Sequence, residues 1–371
     1  MIRVLQCVND MHRAGLETML MNYYRHIDRD KIQFDFLTHR PYRSDYDDEI
    51  ESLGGKIYYA PRLYPQNYPK YFKWMKSFFD EHKEYKIVHS HIDAMSYLPL
   101  KAAKKANIPI RIAHSHNTSI DKDFKYPLKQ YFRKKICEVA NYYCSCGHEA
   151  GEFLFPGKNF QYIPNAIEAE QFLYDKTIRK IKREELGVSN RIVMGHVGRL
   201  SYQKNHDFLL KVFNEVLKVK KSVVLVLVGT GEREQEIQNK IRSLGIENDV
   251  IMLGNRADVD ELYQAMDIFV MPSFFEGVPV TGIEAQFSGL PCVFSDRVPK
   301  EVSISNRCIF ISLNQSVSEW SKLIMKAFDN TKREDNDGLI GSEFDIENAH
   351  RILERYYMEL NDGVNRLNEN K

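Results

Sequence analysis

The segment "RIVMGHVGRLSYQKNHDFLLKVFNEVLKVKKSVVLVLVGT", residues 191–230, decides the fold class of this chain. Its two ends, 191–197 and 222–228, are short runs of mainly apolar and β-branched residues, as is typical of buried strands. Between them, residues 206–220 repeat apolar side chains at helical spacing. A strand, a helix and a second strand in this order predict a βαβ unit with parallel strands.

The same alternation continues in both directions along the 371 residues. Upstream strands are predicted at 2–8, 32–38, 56–59, 86–90, 109–114, 141–146 and 159–163, and downstream strands at 249–253, 267–271, 291–294 and 308–311. We therefore predict an α/β chain of two Rossmann-like domains that face each other across a cleft. The predicted domains are 1–178 and 179–345, and a C-terminal helical segment, 346–371, is expected to cross back towards the first domain.

The composition argues against several classes of protein. Lys and Arg number 52 against 51 Asp and Glu, so the charge gives no reason to expect a nucleic-acid partner. The longest apolar run, 223–228, is far shorter than the ~20 residues of a membrane helix. The first residues, MIRVLQCVND, have the pattern of a buried strand and not of a signal peptide. We therefore expect a soluble, cytoplasmic chain.

Two cations follow a predicted strand in the glycine-bearing loop 198–205, "GRLSYQKN". Ligands of open α/β sheets collect beyond the carboxyl ends of the strands, where this loop lies. Arg199 would supply a planar fork of donors and Lys204 a compact point charge, and together they would neutralise a diphosphate. The alternative is a solvated loop with two ordinary surface cations.

Two carboxylates follow another strand in "SFFEGVPVTGIEAQFSG", residues 273–289. Glu276 would lie in the loop, and a helix would begin near Pro279, a residue suited to the first helical turn. The helix start would point backbone amides at an anion. Glu284 would lie more than a turn further along, where it could accept hydrogen bonds from paired sugar hydroxyls. The alternative is a helix-start carboxylate and a surface residue.

In combination these stretches resemble a known family. The E-x7-E pair of Glu276 and Glu284, preceded by GRL-x-x-Q-K-N, is similar to the carboxyl-terminal domain of the retaining GT-B glycosyltransferases of family 4. Further stretches agree with the resemblance: 13–20, 113–117, 162–168, 255–273 and 289–296. The similarity covers nearly the whole chain and is closest to the branch that builds bacterial capsular polysaccharides and exopolysaccharides.

The resemblance implies a role for each matching residue. Arg199 and Lys204 would hold the donor diphosphate and stabilise it as the leaving group, Glu284 would bind the ribose diol, and Glu276 would contact the transferred sugar. The remaining donor contacts would come mainly from backbone: Asn255 and Arg256 at the base, Gly15 at the phosphate, and the helix start at Gly277, Val278, Pro279 and Val280. The family usually has two glycines at the first loop, whereas this chain has Ala14–Gly15.

The implied activity is transfer of a hexosyl or N-acetylhexosaminyl unit from a nucleotide-diphosphate sugar, with retention of configuration. The expected donor is a UDP-sugar, which acts as co-substrate, and no cofactor is expected. The acceptor would be a glycan or a lipid-linked sugar, in the biosynthesis of a cell-surface polysaccharide. Two alternatives remain open: a GT-B sugar-nucleotide epimerase and a catalytically silent GT-B partner subunit.

Two copies of the tripeptide HSH, at 89–91 and 114–116, each follow or end a predicted strand. A metal site would need both copies to converge, and no further set of residues with ligand spacing accompanies them. The family has a histidine at the end of its fifth strand that points at the donor sugar. His116, followed by Asn117, matches it best, and His114 is the alternative. The first copy is expected to be structural, with its rings bonded to backbone carbonyls.

Three Asp-x-Asp triplets, at 45–47, 121–123 and 258–260, bear on the need for a metal. The third is expected to open a helix, where Asp caps backbone amides, and the other two lie in charged loops. Because Arg199 and Lys204 would neutralise the phosphates, we expect no metal site and no requirement for a divalent cation.

Two helical stretches, 71–79 and 129–140, mix cations with aromatic residues. They are either solvated helices with one buried face, or surfaces that dock on an anionic inner membrane leaflet where a lipid-linked acceptor would lie.

Overall fold

The structure, a computed structural model, describes residues 1–120, 124–328, 333 and 337–369. The chain divides into two compact units. The first unit contains Met1–Ala166 together with Ile346–Lys371, and the second contains Ile167–Asp345. Each unit is built on one parallel sheet with helices on its connections.

The sheet of the first unit has seven strands in the order β3-β2-β1-β4-β5-β6-β7. The strands are β1 Ile2–Cys7, β2 Ile32–Thr38, β3 Ile57–Tyr59, β4 Ile87–Ser90, β5 Ile110–Ser115, β6 Tyr142–Ser145 and β7 Gln161–Tyr162. The central strands β1, β4 and β5 are buried almost throughout, because helices cover both faces of a parallel sheet. Because these strands are parallel, their carboxyl ends meet at one edge of the sheet.

Seven α-helices pack in this unit among the described residues. They are α1 Gly15–His26, α2 Asp47–Ser52, α3 Tyr68–Glu81, α4 Tyr97–Lys105, α5 Tyr126–Lys135, α6 His148–Leu154 and, after the second unit, α14 Ile346–Glu369, with the 3-10 turn Asp93–Ser96 before α4. The last helix lies against α1, where His26 Nε2 is 3.3 Å from Glu347 Oε1. The predicted return of the C-terminal helix to the first domain is therefore seen in the fold.

The sheet of the second unit has six strands in the order β10-β9-β8-β11-β12-β13. The strands are β8 Ile192–Val197, β9 Val223–Val228, β10 Val250–Met252, β11 Ile268–Met271, β12 Cys292–Ser295 and β13 Cys308–Ile311. The helices are α7 Ala169–Phe172, α8 Lys176–Glu185, α9 His206–Val219, α10 Glu234–Leu244, α11 Val259–Ala265, α12 Val280–Phe287 and α13 Val317–Phe328. The βαβ unit predicted from residues 191–230 is β8-α9-β9, with Ile192 paired to Val223 in parallel.

The first boundary between the units lies after Ala166, earlier in the chain than the predicted residue 178. The segment that follows packs on the second unit. Gln264 Nε2 donates to the carbonyl oxygens of Phe172 and Leu173 at 3.3 and 3.2 Å. These are tertiary contacts to a helix more than 80 residues away, which the local pattern of the chain does not reveal.

Within the described part of the chain, no helix combines the length and the apolar character needed to span a bilayer.

Candidate active site

Two loops at the carboxyl edge of the second sheet are tied together by hydrogen bonds. Strands β8 and β11 are neighbours, so the loops that leave them start side by side. Asn205 Nδ2 donates to the carbonyl of Pro272 at 3.0 Å, and the amide of Phe274 donates to the carbonyl of Gln203 at 2.9 Å. The loop with the predicted phosphate-binding cations is thus held against the loop with the first carboxylate.

Lys204 and Glu276 form an ion pair between these loops. Lys204 Nζ lies 2.8 Å from Glu276 Oε1, and the two side chains are 13% and 6% exposed. Gln203 Nε2 donates to the other carboxylate oxygen at 3.1 Å. Because burial makes an unpaired charge costly, each of these charges depends on the other for its stability. The sequence singled out Lys204 and Glu276 separately, and the fold brings them into contact.

Arg199 belongs to the same loop but has a different environment. Its side chain is 67% exposed, and its guanidinium lies 3.1 Å from the carboxylate of Glu232. An exposed ion pair of this kind holds its partners weakly. Arg199 can therefore move to an anion at little energetic cost.

A third loop packs backbone to backbone against residues 198–200. Gly229 has a φ of +129°, and a Cβ there would lie 2.2 Å from the carbonyl oxygen of Gly198. A Cβ on Gly231 would lie 2.4 Å from the carbonyl oxygen of Leu200. Leu200 N also donates to Thr230 O at 2.9 Å. Glycine is required at these two positions because the approach leaves no room for a side chain.

Glu284 lies on α12 and is buried beside Tyr263 of α11. The Tyr263 hydroxyl is 2.9 Å from Glu284 Oε2 and 3.0 Å from the carbonyl oxygen of Thr281. The pKa of Glu284 is raised to about 7: burial raises it, the Tyr263 hydrogen bond opposes the rise, and the nearby charge of Asp260 adds to it. Sequence reasoning did not identify Tyr263, because a tyrosine on an amphipathic helix looks like an ordinary core residue.

Helix α12 begins at Val280, with Pro279 as its N-cap residue. This agrees with the predicted start near Pro279. Because proline lacks an amide hydrogen, Pro279 offers no donor here, and the predicted donors that remain are the N–H groups of Gly277, Val278 and Val280. Gly277, Val278 and Val280 are buried, which places the helix start within the fold.

Asn255 and Arg256 follow β10 at the same edge of the sheet. The Asn255 residue is exposed, and the Arg256 guanidinium binds the carboxylate of Asp258 at 2.6 and 2.7 Å. Asp258 is the N-cap residue of α11, but its side chain does not cap the helix. It also accepts from Lys182 Nζ at 2.6 Å, so the predicted capping role of this Asp-x-Asp triplet is wrong: the carboxylate is held by two cations instead.

In the first unit both HSH tripeptides converge on one buried set of rings, which we call the histidine cluster: His89, His91, His114 and His116. Strands β4 and β5 are neighbours in parallel register, with His89 opposite Ile112, so the two tripeptides run side by side. His89 Nε2 lies 3.1 Å from His114 Nδ1, and His91 Nδ1 lies 3.1 Å from His116 Nε2. Each tripeptide occurs at the end of a strand, and the two strands are neighbours in the sheet. The repeated tripeptide at two strand ends is the sequence signal for this convergence.

Two side chains outside the tripeptides hold the inner rings. Gln6 Oε1 of β1 accepts from His91 Nε2 at 2.8 Å, and the Tyr357 hydroxyl of α14 lies 2.6 Å from His89 Nδ1. The predicted bonding of these rings to backbone carbonyls is therefore wrong. Gln6 is on the neighbouring strand, and Tyr357 reaches the cluster from the last helix, so neither contact follows from local sequence.

His116 is the first residue beyond β5, which ends at Ser115. Its backbone amide donates to Asp93 Oδ1 at 2.8 Å, and Asn117 Nδ2 donates to Asp93 Oδ2 at 2.8 Å. Asp93 has a φ of +44°, an unusual conformation for a residue with a side chain. Burial lowers the pKa of His116 to about 3, so its imidazole is neutral at physiological pH.

Two sets of potential metal ligands occur among the described residues, and both draw on the histidine cluster. The ligand atoms of His91, His114 and His116 lie within 4.8 Å of one another, as do those of His89, His114 and Cys144. Cys144 was not among the predicted site residues. It lies on β6 directly opposite His114 in the register of the sheet.

The first Asp-x-Asp triplet is engaged in hydrogen bonds within the protein. Asp45 Oδ2 accepts from the amide of Arg13 at 3.0 Å, and Asp47 Oδ2 accepts from the Tyr59 hydroxyl at 2.6 Å. The triplet at 121–123 lies outside the described residues. Gly15, the predicted phosphate contact, is the first residue of α1 and is exposed.

Comparisons with known proteins agree with this architecture. The family model described as Glycosyltransferase Family 4 matches residues 13–171, and the model described as Glycosyl transferases group 1 matches residues 177–338. EpsF of Bacillus subtilis, described as a glycosyltransferase, is 36% identical over 88% of this chain and 87% of its own length. The capsular polysaccharide biosynthesis glycosyltransferase CapH of Staphylococcus aureus is 27% identical over 96% of this chain and 99% of its own.

Solved structures give the same fold at low sequence identity. The Anabaena protein HepE in complex with UDP-glucose superimposes with a TM-score of 0.80 at 18% identity, over 96% of this chain and 100% of that one. A sucrose-phosphate synthase of Thermosynechococcus elongatus superimposes with a TM-score of 0.78 at 15% identity, over 98% and 100%. The fold is GT-B, as these similarities indicate. It has two parallel Rossmann-like sheets and a C-terminal helix packed in the first unit. The 36% identity to EpsF over 88% of this chain, together with the matches to both family models, shows that the chain belongs to the family 4 glycosyltransferases.

Proposed function

We propose that this glycosyltransferase moves a hexosyl or N-acetylhexosaminyl unit from a UDP-sugar to a glycan or lipid-linked acceptor, with retention of configuration and without a metal ion. The second unit would bind the donor and the first unit the acceptor. The observation that carries the proposal is the buried contact between Lys204 and Glu276, 2.8 Å from Nζ to Oε1. It places a cation suited to a phosphate beside a carboxylate suited to sugar hydroxyls.

The leaving diphosphate is the group that the enzyme must stabilise. The bond between the anomeric carbon and the diphosphate oxygen breaks, and negative charge develops on that oxygen. Lys204, Arg199 and the helix-start amides of Gly277, Val278 and Val280 are the donors proposed to stabilise it. Arg199 is exposed and weakly paired with Glu232, so it can reorient onto the phosphate at little cost.

The transfer step is proposed to occur on one face of the sugar. The acceptor oxygen forms the new bond to the anomeric carbon, and its proton passes to an oxygen of the departing diphosphate. Atoms and charge then balance without a covalent enzyme intermediate. Glu276 is bonded to Lys204 and Gln203, which makes it a poor nucleophile and suits it to orienting sugar hydroxyls.

Glu284 and Tyr263 are proposed to bind the ribose. A buried carboxylate with one oxygen held by a tyrosine hydroxyl presents its remaining lone pairs in a fixed direction, which suits two neighbouring hydroxyl groups. Backbone of Asn255 and Arg256 would receive the base, Gly15 would approach the phosphate, and His116 would contact the transferred sugar.

The charges already present support the proposed independence from metal. A diphosphate needs about two positive charges, and Arg199 and Lys204 supply them at the loop that follows β8. Asp45 and Asp47 are committed to Arg13 and Tyr59, so this triplet would have to give up its bonds to hold a cation. Activity is therefore expected to persist in EDTA.

The names of the relatives support a role in building cell-surface polysaccharide. CapH is named for capsular polysaccharide biosynthesis and AmsD of Erwinia amylovora for amylovoran biosynthesis. An Escherichia coli relative, 28% identical over 58% of this chain and 58% of its own length, is a UDP-Gal:alpha-D-GlcNAc-diphosphoundecaprenol alpha-1,3-galactosyltransferase. By analogy the acceptor here would be a lipid-linked sugar at the cytoplasmic face of a membrane, and the enzyme would dock there peripherally.

The proposal is tested by incubating the purified chain with a panel of nucleotide sugars and measuring release of the nucleoside diphosphate. One or more UDP-sugars should be hydrolysed slowly without acceptor, and EDTA should not change the rate. Lys204→Ala should lower the rate at least ~100-fold, the loss usual for one donor to a developing charge, while Lys211→Ala on the exposed side of α9 should not. Loss of activity in EDTA, or a fully active Lys204→Ala variant, would contradict the proposal.

A further inference from the structure

We infer that Gln6 and Tyr357 are positioning residues that set one protonation pattern in the histidine cluster. In this pattern all four rings carry their proton on Nε2, and the Nδ1 atom of His116 is an acceptor for a sugar hydroxyl. The consequence for sugar binding rests on the proposed function. The protonation pattern itself rests only on hydrogen bonds within the first unit.

The first arm of the network runs from Gln6 to His116. Gln6 Oε1 is a carbonyl oxygen and only accepts, so His91 Nε2, at 2.8 Å, must carry a hydrogen. A neutral His91 then has a lone pair on Nδ1. His116 Nε2, 3.1 Å away, must donate to it, and His116 Nδ1 is left without a proton.

The second arm runs from the same glutamine to His114. Gln6 Nε2 only donates, and it bonds the Tyr357 oxygen at 3.1 Å, so the tyrosine hydrogen is available for His89 Nδ1 at 2.6 Å. With the hydroxyl donating, His89 carries its hydrogen on Nε2 and donates to His114 Nδ1 at 3.1 Å. His114 is left with its hydrogen on Nε2, which is buried and has no hydrogen-bond partner within the described chain.

The pattern requires neutral rings. A second proton on His91 or His114 would point one N–H at another across a nitrogen-to-nitrogen contact of 3.1 Å, and a second proton on His89 would face the hydroxyl hydrogen of Tyr357. Burial of the whole cluster disfavours a cation and lowers the pKa of each of the four histidines. Geometry therefore disfavours a second proton on three of the rings, and burial disfavours it on all four.

A bound metal is the competing explanation for such a cluster. Ligation by His91, His114 and His116 requires a lone pair from each ring to point at one common position. Two of these rings are instead bonded to each other, His91 Nδ1 to His116 Nε2. At the outer ends of the network the Gln6 amide oxygen accepts from His91, and the Tyr357 hydroxyl is placed to donate to His89. The observations favour hydrogen bonding, and the test below includes the metal as an outcome.

The result for the reaction is that His116 presents a fixed acceptor. Its backbone is held by Asp93, whose carboxylate accepts its amide at 2.8 Å, and its ring is held by His91. An acceptor of this kind matches a hydroxyl group and disfavours a ligand group that only accepts. Gln6 acts on His116 indirectly, through its hydrogen bond to His91. It does not touch the sugar in this proposal.

The experiment is nitrogen NMR of protein labelled in its histidine rings, at neutral pH with and without EDTA. We expect all four cluster rings to be neutral with the proton on Nε2, and EDTA to change none of them. Gln6→Leu removes the acceptor, so His91 should carry its proton on Nδ1. The His116 proton should then move from Nε2 to Nδ1. The kcat should fall at least ~10-fold, the scale of one proton-transfer or hydrogen-bond contact, with the donor KM within about threefold of wild type.

Three further variants separate positioning from folding. Gln6→Glu keeps an acceptor for His91 and should restore its Nε2 proton and part of the kcat. Tyr357→Phe should change the proton positions of His89 and His114 and leave those of His91 and His116 unchanged. Tyr24→Phe removes a buried hydroxyl that is bonded to Leu53 O elsewhere in the unit. It should leave the proton positions of all four cluster histidines unchanged.

Three results would overturn the inference: a cluster ring protonated on Nδ1 in the wild-type protein, spectra that change on chelation as expected for a bound metal, or a Gln6→Leu variant with an unaltered His116. If no nucleotide sugar is turned over, the proposed function fails. The spectra still decide the protonation pattern in that case.

Discussion

The Tyr263 hydroxyl lies 2.9 Å from Glu284 Oε2, and both residues are buried in the second unit. They come from two successive helices, α11 and α12, that β11 separates in the chain. The hydroxyl stabilises the ionised carboxylate against the cost of its burial. This pair links a residue that the sequence identified to one that it did not.

Tyr263→Phe should weaken donor binding. The buried carboxylate would lose a hydrogen bond, at a cost of about 1–3 kcal/mol, and its pKa would rise further because the hydrogen bond now lowers it. We expect the donor KM to rise about tenfold or more at neutral pH. Steady-state kinetics would measure it, with Tyr174→Phe, which changes a partly buried tyrosine of the same unit, as control. An unchanged KM would mean that Glu284 does not contact the donor.

Donor binding should depend on pH through Glu284. Burial raises the pKa of this carboxyl to about 7, so it is protonated below that pH and loses acceptor capacity for the ribose hydroxyls. The donor KM should therefore rise as the pH falls from about 8 to about 6. Glu284→Gln should have a high KM that no longer varies over this range. A wild-type profile that stays flat there would exclude the role.

The same shift predicts the sign of an effect on stability. The pKa of Glu284 is higher in the folded chain than the ordinary value of 4.5, so the folded state binds the proton more tightly. The contribution of this group to stability is present below the ordinary value and is lost as the pH rises through about 7. Glu284→Gln should remove that pH dependence from the unfolding free energy.

Gly229→Ala should destabilise the second unit strongly. The new Cβ would lie 2.2 Å from the carbonyl oxygen of Gly198, at a φ of +129°. Gly245→Ala is the matched control, since its φ is +66° and nothing lies within 4 Å of the added Cβ. The control should lose only about 1–2 kcal/mol, the usual cost of a left-handed alanine. Chemical unfolding measures both, and equal losses would show that the close approach to Gly198 can relax.

His116→Ala should abolish transfer while leaving the fold intact. We expect kcat to fall at least ~100-fold if the imidazole contacts the reacting sugar. Zinc analysis of the purified wild-type protein should find no stoichiometric metal. His350→Ala, which removes a half-buried ring bonded to its own helix at Ile346 O, is the control. An active His116→Ala variant would assign the cluster a purely structural role.

Helix α5 and the segment before it should bind anionic membranes. Tyr131 is 52% exposed and Phe124 is 78% exposed, and the cation Lys134, three residues after Tyr131, is exposed as well. Aromatic and basic side chains in this combination favour the headgroup region of an anionic bilayer. The chain should sediment with anionic vesicles at low salt, and Tyr131→Ser with Lys134→Glu should reduce binding, unlike Lys211→Glu. No sedimentation of the wild-type chain would remove this part of the proposal.

The sequence alone was enough to predict the strands and their order of occurrence. Runs such as 223–228 and 268–271 are apolar because parallel strands are covered on both faces. The residues of each strand therefore show this requirement without reference to the rest of the chain. The same logic placed Arg199, Lys204, Glu276 and Glu284 beyond strand ends. Local pattern and position in a βαβ repeat suffice for these predictions.

Tertiary structure alone decided which side chains meet. Lys204 and Glu276 are 72 residues apart, His89 and Tyr357 are 268 apart, and both pairs are in hydrogen-bond contact. Strand order and the return of the last helix bring them together, and neither is encoded in a local period of the sequence. The burial that shifts the pKa of Glu284 and of the histidine cluster arises in the same way, because desolvation depends on every element packed around a group and not on its neighbours in the chain.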